Sequence, residues 1–381
     1  MKDIKYQICT RCVMDTTIKE INFDEKGICN YCKNYDYRIA TELYKEPERS
    51  RRLNILIDKI KKDGQKKKYD CIIGVSGGVD STYVAYLVKK FGLRPLAIHL
   101  DNGWNSELAV QNIQNLLNKL NIDFYTHVID WEEFKDLQKA FIKSSIENLE
   151  IPSDHAINAL LFKTADEYGL KYIINGSNLA TEGLFSNTAG GLDIDYRLLK
   201  DIHKKFGTKK LKTYPSIDIW NLAYKIIVKK IKYIPILNYI DYNKEKVIEL
   251  LEKEFGWKRY GGKHYESIFT RFFQGYILLN KNNYDKRKDH FSNLIMSGQI
   301  SRGDALHELS KHPYPNQELL KEDIKFFLKK FNYTKLEFET IMMTKPRKPS
   351  DFKSYEGIFK KLKPLVLKIK EYAKKINYEK C

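Results

Sequence analysis

No apolar stretch in these 381 residues is long enough to cross a bilayer, because lysines interrupt even "IIVKKIKYIPIL". The first residues, "MKDIKYQICTRC", lack the apolar segment of a secretory leader. Internal repeats and low-complexity linkers are missing too, so domain boundaries can only be drawn approximately. Nothing points to an oxidising compartment, which argues against a disulfide framework for the six cysteines. These absences predict a cytoplasmic protein with no membrane insertion. Hydrophobic residues make up 43% of the chain, enough for a substantial core.

The formal net charge of +18 raises the question of a nucleic-acid partner. Its distribution argues against one. Residues 345–381 hold twelve Lys or Arg against four Asp or Glu, +8 of the total, and the excess is nearly all lysine. That pattern reads as a solvated basic surface.

Four cysteines form two pairs, Cys9-x₂-Cys12 and Cys29-x₂-Cys32, with sixteen residues between them. Two knuckles at this spacing supply four thiolates for a closed, structural Zn²⁺ site. Cys71 falls in an apolar strand and reads as a small core residue. Residues 1–40 therefore form an irregular zinc-binding segment, and 41–68 a helical connector with Leu53, Leu56, Ile57 and Ile60 as its buried stripe.

From 69 to 242 strands and helices alternate. "YDCIIGV", "RPLAIHL", "DFYTHVI" and "KYIIN" are the strands, and the class is α/β with a doubly wound parallel sheet. Residues 243–381 read as mainly helical. Near the end, Ile358, Leu362, Leu365, Ile369, Tyr372 and Ile376 form a narrow seam interrupted by Pro364.

The decisive stretch is "CIIGVSGGVDSTYVAYLVKKFG", Cys71 to Gly92. A strand, a loop with two glycines and two serines, and a helix follow in order. That arrangement suits a phosphate held at a helix N-terminus. The lysine of a Walker A loop is lacking, and so is G-x-G-x-x-G. Asp80 and Asp101 are carboxylates beside this anion site, positioned to hold Mg²⁺, with Glu182 a weaker candidate.

Ser76, Gly77, Gly78, Val79, Asp80 and Ser81 resemble the PP-loop, SGG-x-D-S, of the ATP pyrophosphatase superfamily, whose fold is adenine nucleotide alpha hydrolase-like. The resemblance implies that this loop holds the pyrophosphate end of ATP. It also implies that "HLDNGW" (His99, Asp101, Asn102) contacts adenine and ribose. Gly176 and Ser177 in "NGSNLATEG" would line the same nucleotide site.

"CTRCVMDTT", "FDEKGICNYC", "GVSGGVDSTYVAYL", "HLDNGWNS", "NGSNLATEG" and "GWKRYGGKHYESIFTRFFQGY", in that order, are similar to the N-acetyl sugar amidotransferase family. That family acts in bacterial surface glycan pathways, lipopolysaccharide and pseudaminic acid biosynthesis among them. The resemblance implies adenylation of an acetamido oxygen and its replacement by ammonia, giving an acetamidino sugar, AMP and pyrophosphate. Asp80 and Ser81 would act with Lys263 and Arg271 as cations facing pyrophosphate, and "NTAGGLDIDY" (Asn187 to Tyr196) would line the sugar pocket. No glutaminase signature is present, so ammonia is expected from a separate glutaminase- and cyclase-like pair. A tRNA-thiolating PP-loop enzyme, or a non-catalytic zinc- and nucleotide-binding assembly protein, are the alternatives. Thiolation is disfavoured because no cysteine lies between Cys71 and Cys381.

Overall fold

A parallel sheet forms the centre of the computed structural model, which describes residues 6–184, 194–358 and 361. Its strands are β1 (Cys71–Gly74), β2 (Pro95–Asp101), β3 (Asp123–Val128), β4 (Tyr172–Asn175) and β5 (Lys232–Pro235). Their order is β3-β2-β1-β4-β5. The chain runs outward from β1 to β3, returns to the middle at β4, and leaves again at β5. The direction of winding therefore reverses between β1 and β4, where Ile72 pairs with Ile173. Ligands of open α/β sheets bind beyond the carboxyl ends of the strands at such a point.

Helices α1 (Asn30–Glu42) and α2 (Glu48–Gly64) precede the sheet. The crossovers carry α3 (Val79–Lys90), α4 (Glu107–Leu120), α5 (Trp131–Ser144), α6 (Ile151–Glu167), α7 (Leu179–Glu182), α8 (Tyr196–Phe206) and α9 (Ile219–Ile227). After β5 come α10 (Lys244–Phe255), α11 (Ile268–Phe272), α12 (Leu278–Asn282), α13 (Arg287–Met296), α14 (Arg302–Ser310), α15 (Gln317–Phe331) and α16 (Lys335–Met343). A π-helical turn, Phe273–Ile277, joins α11 to α12.

The two-residue period of the strands divides the core in two. Cys71 and Ile73 point to one face, with Leu53, Ile57 and Ile60 of α2, Val84 and Val88 of α3, and Leu251 of α10. Ile72, Leu96, Ile98 and Ile173 point to the other, with α5, α6, α8, the cysteine segment and the carboxyl-terminal helices. Both faces are covered, as continuous apolar strands require.

Three features differ from the sequence reading. The fifth strand was not anticipated; it sits at the sheet edge with Lys232 and Tyr233 exposed, inside a run broken by lysines. Helix α1 starts directly after Cys29, so Cys32 is helical where an irregular segment was expected. The seam beyond Ile358, Pro364 and residues 187–193 of the expected sugar pocket lie outside the described residues.

The carboxyl-terminal helices are held together by aromatic packing. Phe327 on α15 is fully buried, with ring centroids 4.9 Å from Phe272, 4.8 Å from Phe331 and 5.5 Å from Phe338. Phe327→Ala is expected to cost about 3–5 kcal/mol of stability. Urea denaturation followed by far-UV circular dichroism measures this; a loss below about 1 kcal/mol would mean that these helices pack independently of Phe327.

Candidate functional site

The loop between β1 and α3 is built on Gly77, whose φ of +82° is left-handed. A side chain there would also strike the Ala109 carbonyl at 2.7 Å. The serines cross-link the loop from within. The Ser76 amide donates to Ser81 Oγ (3.2 Å), the Gly78 amide to Ser76 Oγ (3.3 Å), and Ser81 Oγ to the Gly78 carbonyl (3.1 Å). The Gly77 carbonyl turns away and accepts from Trp257 Nε1 (3.0 Å) and the Tyr260 hydroxyl (2.9 Å). With that carbonyl withdrawn, the opening is faced by first-turn amides of α3, which have no intrahelical acceptors. The helix dipole adds positive potential at the same point.

This loop forms one wall of a cleft of ≈ 930 Å³. Ser76, Gly78, Val79, Asp80 and Ser81 line it, as do His99, Asn102, Gly176, Ser177, Glu182 and Lys263. Gly176 lets the β4 loop approach Asp80; a Cβ would lie 2.9 Å from the Asp80 Cβ. His99 serves as a pin. Its Nδ1 donates to the Val75 carbonyl (2.8 Å), leaving Nε2 to accept from Asn105 Nδ2 (2.9 Å). That pairing fixes the neutral tautomer, and burial holds the imidazole below its usual pKa.

Several ionisable groups converge on the loop. Asp80 accepts a short hydrogen bond from the Tyr242 hydroxyl. Burial and the nearby Glu182 charge raise the Asp80 pKa, against Lys244 and Lys263. Burial lowers that of Lys244. Lys263 Nζ lies 3.3 Å from Glu182 Oε1. Half-buried Asp80 is raised in part by Glu182, and both carboxylates line the cleft, so these are the two acids that would hold Mg²⁺. Glu266 is pushed up by burial, but His264 (3.5 Å) and Lys244 outweigh this and hold it below the carboxylate range.

Two expected site residues stand elsewhere. Asp101 accepts from the Gly103 amide (2.9 Å) and Asn105 Nδ2 (3.3 Å), capping a turn outside the cleft lining. Arg271 is also outside the lining. Its guanidinium grips Asp323 through two bonds, 2.7 and 2.6 Å, and Tyr314 donates to the same carboxylate (2.9 Å). With side chains 12% and 4% exposed, that pair ties α11 to α15, and Arg271 is unavailable to pyrophosphate. Conversely, Tyr242, Lys244, Trp257, Tyr260 and Glu266 went unnoticed in the sequence. The one available signal was the density of glycines and aromatics in "GWKRYGGKHYES".

Cys9, Cys12, Cys29 and Cys32 are buried with all four sulfurs within 4.8 Å of one another. Cys9–Cys32, Cys12–Cys29 and Cys29–Cys32 are 3.9, 3.7 and 3.7 Å apart. A tetrahedron with Zn–S bonds of about 2.3 Å has edges of about 3.8 Å, so the cluster fits zinc and not disulfides. The Arg11, Cys12 and Cys29 amides donate to Cys9 Sγ at 3.4, 3.5 and 3.3 Å, which eases the burial of thiolate charge. Arg302 binds the carbonyls of Cys12 (3.0 Å) and Cys9 (2.9 Å), docking the knuckle on α14.

Residues 266–366 match the family described as LPS biosynthesis protein WbpG-like, C-terminal domain, and residues 49–154 match NAD synthase. The chain is thus similar to NAD synthase over the part that carries the β1–α3 loop, and to the WbpG-like domain over its carboxyl-terminal part. An uncharacterized protein of Methanocaldococcus jannaschii is 30% identical over 180 residues, 45% of this chain and 59% of the relative. The tRNA(Ile)-lysidine synthase of Chlamydia pneumoniae is 33% identical over 73 residues, 19% of this chain and 22% of the enzyme. The chain thus spans less than two thirds of the length of either relative. Among solved structures, NMN synthetase from Francisella tularensis has a TM-score of 0.30 at 18% identity, covering 65% of this chain and 96% of that one. NH3-dependent NAD synthetase from Campylobacter jejuni gives 0.28 at 18%, covering 55% and 93%. No helix among the described residues is long and apolar enough to cross a membrane.

Elemental analysis of the purified protein should find about one zinc per chain. Cys29→Ser should lose that metal and lower the melting temperature by roughly 5 °C or more. An unchanged melting temperature in metal-free Cys29→Ser protein would remove the structural role.

Proposed function

We propose that this PP-loop protein is an ATP-dependent amidotransferase of bacterial surface glycan biosynthesis, converting the acetamido group of an N-acetyl sugar to an acetamidine. One observation carries this reading: both matched segments meet in a single cleft. The segment similar to NAD synthase supplies the phosphate loop, while Glu266, Ser267, Thr270, Gln274 and Leu294, from the WbpG-like segment, line the same cleft. A nucleotide in the loop would therefore face residues of a type associated with lipopolysaccharide synthesis.

An acetamide carbonyl is a poor electrophile because the nitrogen lone pair is delocalised into it. Attack of its oxygen on the α-phosphate breaks the bond to pyrophosphate and puts AMP on an imidate carbon. Ammonia then adds to that carbon and AMP departs with the former acetamido oxygen. The chain's own part is positioning and charge. First-turn amides and the Ser76 and Ser81 hydroxyls hold the departing pyrophosphate; Lys244 and Lys263 offset its charge. Asp80 and Glu182 would hold Mg²⁺, which neutralises phosphate charge when bound.

No thiol among the described residues lines the cleft, and Cys71 is wholly buried in β1 with its pKa raised by burial. This supports amidation over thiolation. The similarity to tRNA(Ile)-lysidine synthases favours a second reading, an adenylating enzyme that acts on tRNA. The ammonia is proposed to come from separate subunits, since no glutaminase signature is present in the chain.

Pyrophosphate release from Mg-ATP and ammonium chloride discriminates the readings. The acetamido sugars to test are free N-acetylglucosamine, a nucleotide-linked form and an N-acetylated nonulosonic acid. Sugar-dependent release of AMP and pyrophosphate is expected, falling about 10²–10³-fold in Ser81→Ala. Release with tRNA and with none of the sugars would overturn the amidotransferase reading.

A further inference from the structure

Helix α6 presents one stripe to the cleft. Glu150, Ser153, Asp154, Ile157, Leu160 and Leu161 all line it, and they recur at the three- and four-residue intervals of a single helix face. At the inner end Leu161 meets Gly74, the last residue of β1, where an added Cβ would lie 3.6 Å from Leu161 Cδ1. The helix ends at Glu167 and β4 starts at Tyr172, so α6 runs against the strands and its first turn rises beyond their carboxyl ends. At about 1.5 Å of rise per residue, Glu150 stands roughly 16 Å along the helix axis from Leu161. The stripe is apolar beside the strand ends and polar at its far turn.

The carboxyl-terminal segment closes on that turn. The Ile268 amide donates to the Trp104 carbonyl (2.9 Å) and the Ser106 amide to the Glu266 carbonyl (2.9 Å), so α11 starts from the loop after β2. The same loop bonds α6, with Asn102 Nδ2 donating to Ser153 Oγ (3.2 Å). Gln274 follows α11 in the π-helical turn, a rare form that concentrates at functional sites. Its Nε2 donates to Glu150 Oε2 (3.0 Å), and both residues line the cleft. A carboxylate only accepts, so the amide nitrogen faces Glu150 and the amide oxygen is left over. Among the described residues Glu150 has no other side-chain partner. The pair therefore keeps acceptor atoms for a ligand. Arg271–Asp323, which ties α11 to α15, is buried, whereas Glu150 and Gln274 are half-buried in the cleft wall.

We propose that Glu150 and Gln274 bind the hydroxyls of the sugar ring and so set which sugar the protein accepts. The inference rests on the amidotransferase reading and goes beyond it by naming the residues that select the substrate. A carboxylate with no paired cation repels phosphate and accepts from O–H donors, so this turn suits the sugar and not the nucleotide's phosphates. One ring hydroxyl donates to Glu150 and a neighbouring one to Gln274 Oε1, while the Gln274 N–H keeps the carboxylate in place. Thr270, one turn before Gln274, adds a further hydroxyl to the same wall. A ring held at the far turn leaves the part of the cleft beside the strand ends to the nucleotide.

The test uses sugar-dependent ATP–pyrophosphate exchange by the full-length protein, which reports adenylation without ammonia. The probes are the acetamido sugars named above and the monodeoxy analogues of the one that supports exchange. Glu150→Ala and Gln274→Leu are each expected to raise the sugar KM about tenfold, with the KM for ATP within about twofold of wild type. Glu150→Gln, which keeps one acceptor oxygen, should recover part of that loss. One monodeoxy analogue should show a similar rise in the wild type and no further rise in Glu150→Ala, because hydroxyl and acceptor are two halves of one bond. A purely structural tie would instead raise the KM of every analogue by the same further factor in the variant, or raise the sugar and ATP values together; either result overturns the proposal. An unchanged sugar KM in both folded variants does so too. A wild type indifferent to the removal of any single hydroxyl also overturns it, and decides the matter if the variants do not fold. Absence of exchange with every sugar in the wild type would bring down the amidotransferase reading, and this inference with it.

Discussion

The cleft depends on one carbonyl being held out of the way. Gly77 adopts a conformation open to few other residues, and its oxygen is fixed by Trp257 and Tyr260. If that oxygen turned inward it would present a negative dipole to an incoming phosphate. The two donors lie 180 and 183 residues along the chain, so the phosphate loop is completed only when the segment after α10 folds over α3 and α4. Asn112 secures that cover from α4, donating to the Lys258 carbonyl (3.0 Å) and the Tyr260 hydroxyl (3.1 Å). The antiparallel bridge between Asn105 and Ser267 secures its other end. An anion site made from backbone amides thus owes its orientation to two aromatic donors from a distant segment.

The charges follow from the same closure. Covering the loop half-buries Asp80, Lys244 and Glu266, and desolvation alone would push each toward its neutral form. They meet in one place, so each is partly compensated by the others: Lys244 lowers Asp80 and Glu266, and both acids support Lys244 against desolvation. Glu182 is the exception, since it raises Asp80. The arrangement is balanced for a visitor bringing both signs, as a magnesium-bound triphosphate does. A plain structural salt-bridge network would have no reason to set two acids against each other.

How much of this was legible in the sequence depends on the range of the interactions. The phosphate loop could be read because its residues act on their neighbours: Ser76 and Ser81 bond within the loop, and Gly77 is demanded by its own φ. The cysteine cluster could be read because knuckle spacing is local chemistry. Trp257, Tyr260, Lys244 and Glu266 could not, because nothing near them in the chain reveals partners that lie far away in sequence. Arg271 failed for the complementary reason. A lone arginine looks available until its partner is known, and Asp323 lies 52 residues away. The edge strand β5 escaped because Lys229, Lys230 and Lys232 break its apolar run, whereas no lysine interrupts β3 at the other edge.

The cysteine segment belongs in the same account, since its distance from the phosphate loop makes it look dispensable. Its knuckle is anchored on α13 and α14 through Ser292 and Arg302, with Lys288 binding Asp15. Helix α1 continues directly from Cys29, places Cys32 in its first turn and sends Arg38 to the Gly183 carbonyl (2.8 Å) at the end of α7. Glu182, one position earlier, is the acid that pairs with Lys263 and raises Asp80. A continuous run of covalent and hydrogen-bonded contacts therefore leads from the sulfur cluster to the cleft. Met14, Ile18, Tyr31 and Tyr35 pack this segment on the core, and four metal–sulfur bonds would tie that packing to both knuckles. A metal held by these cysteines would act at a distance, through the helix whose Arg38 bonds the residue next to Glu182.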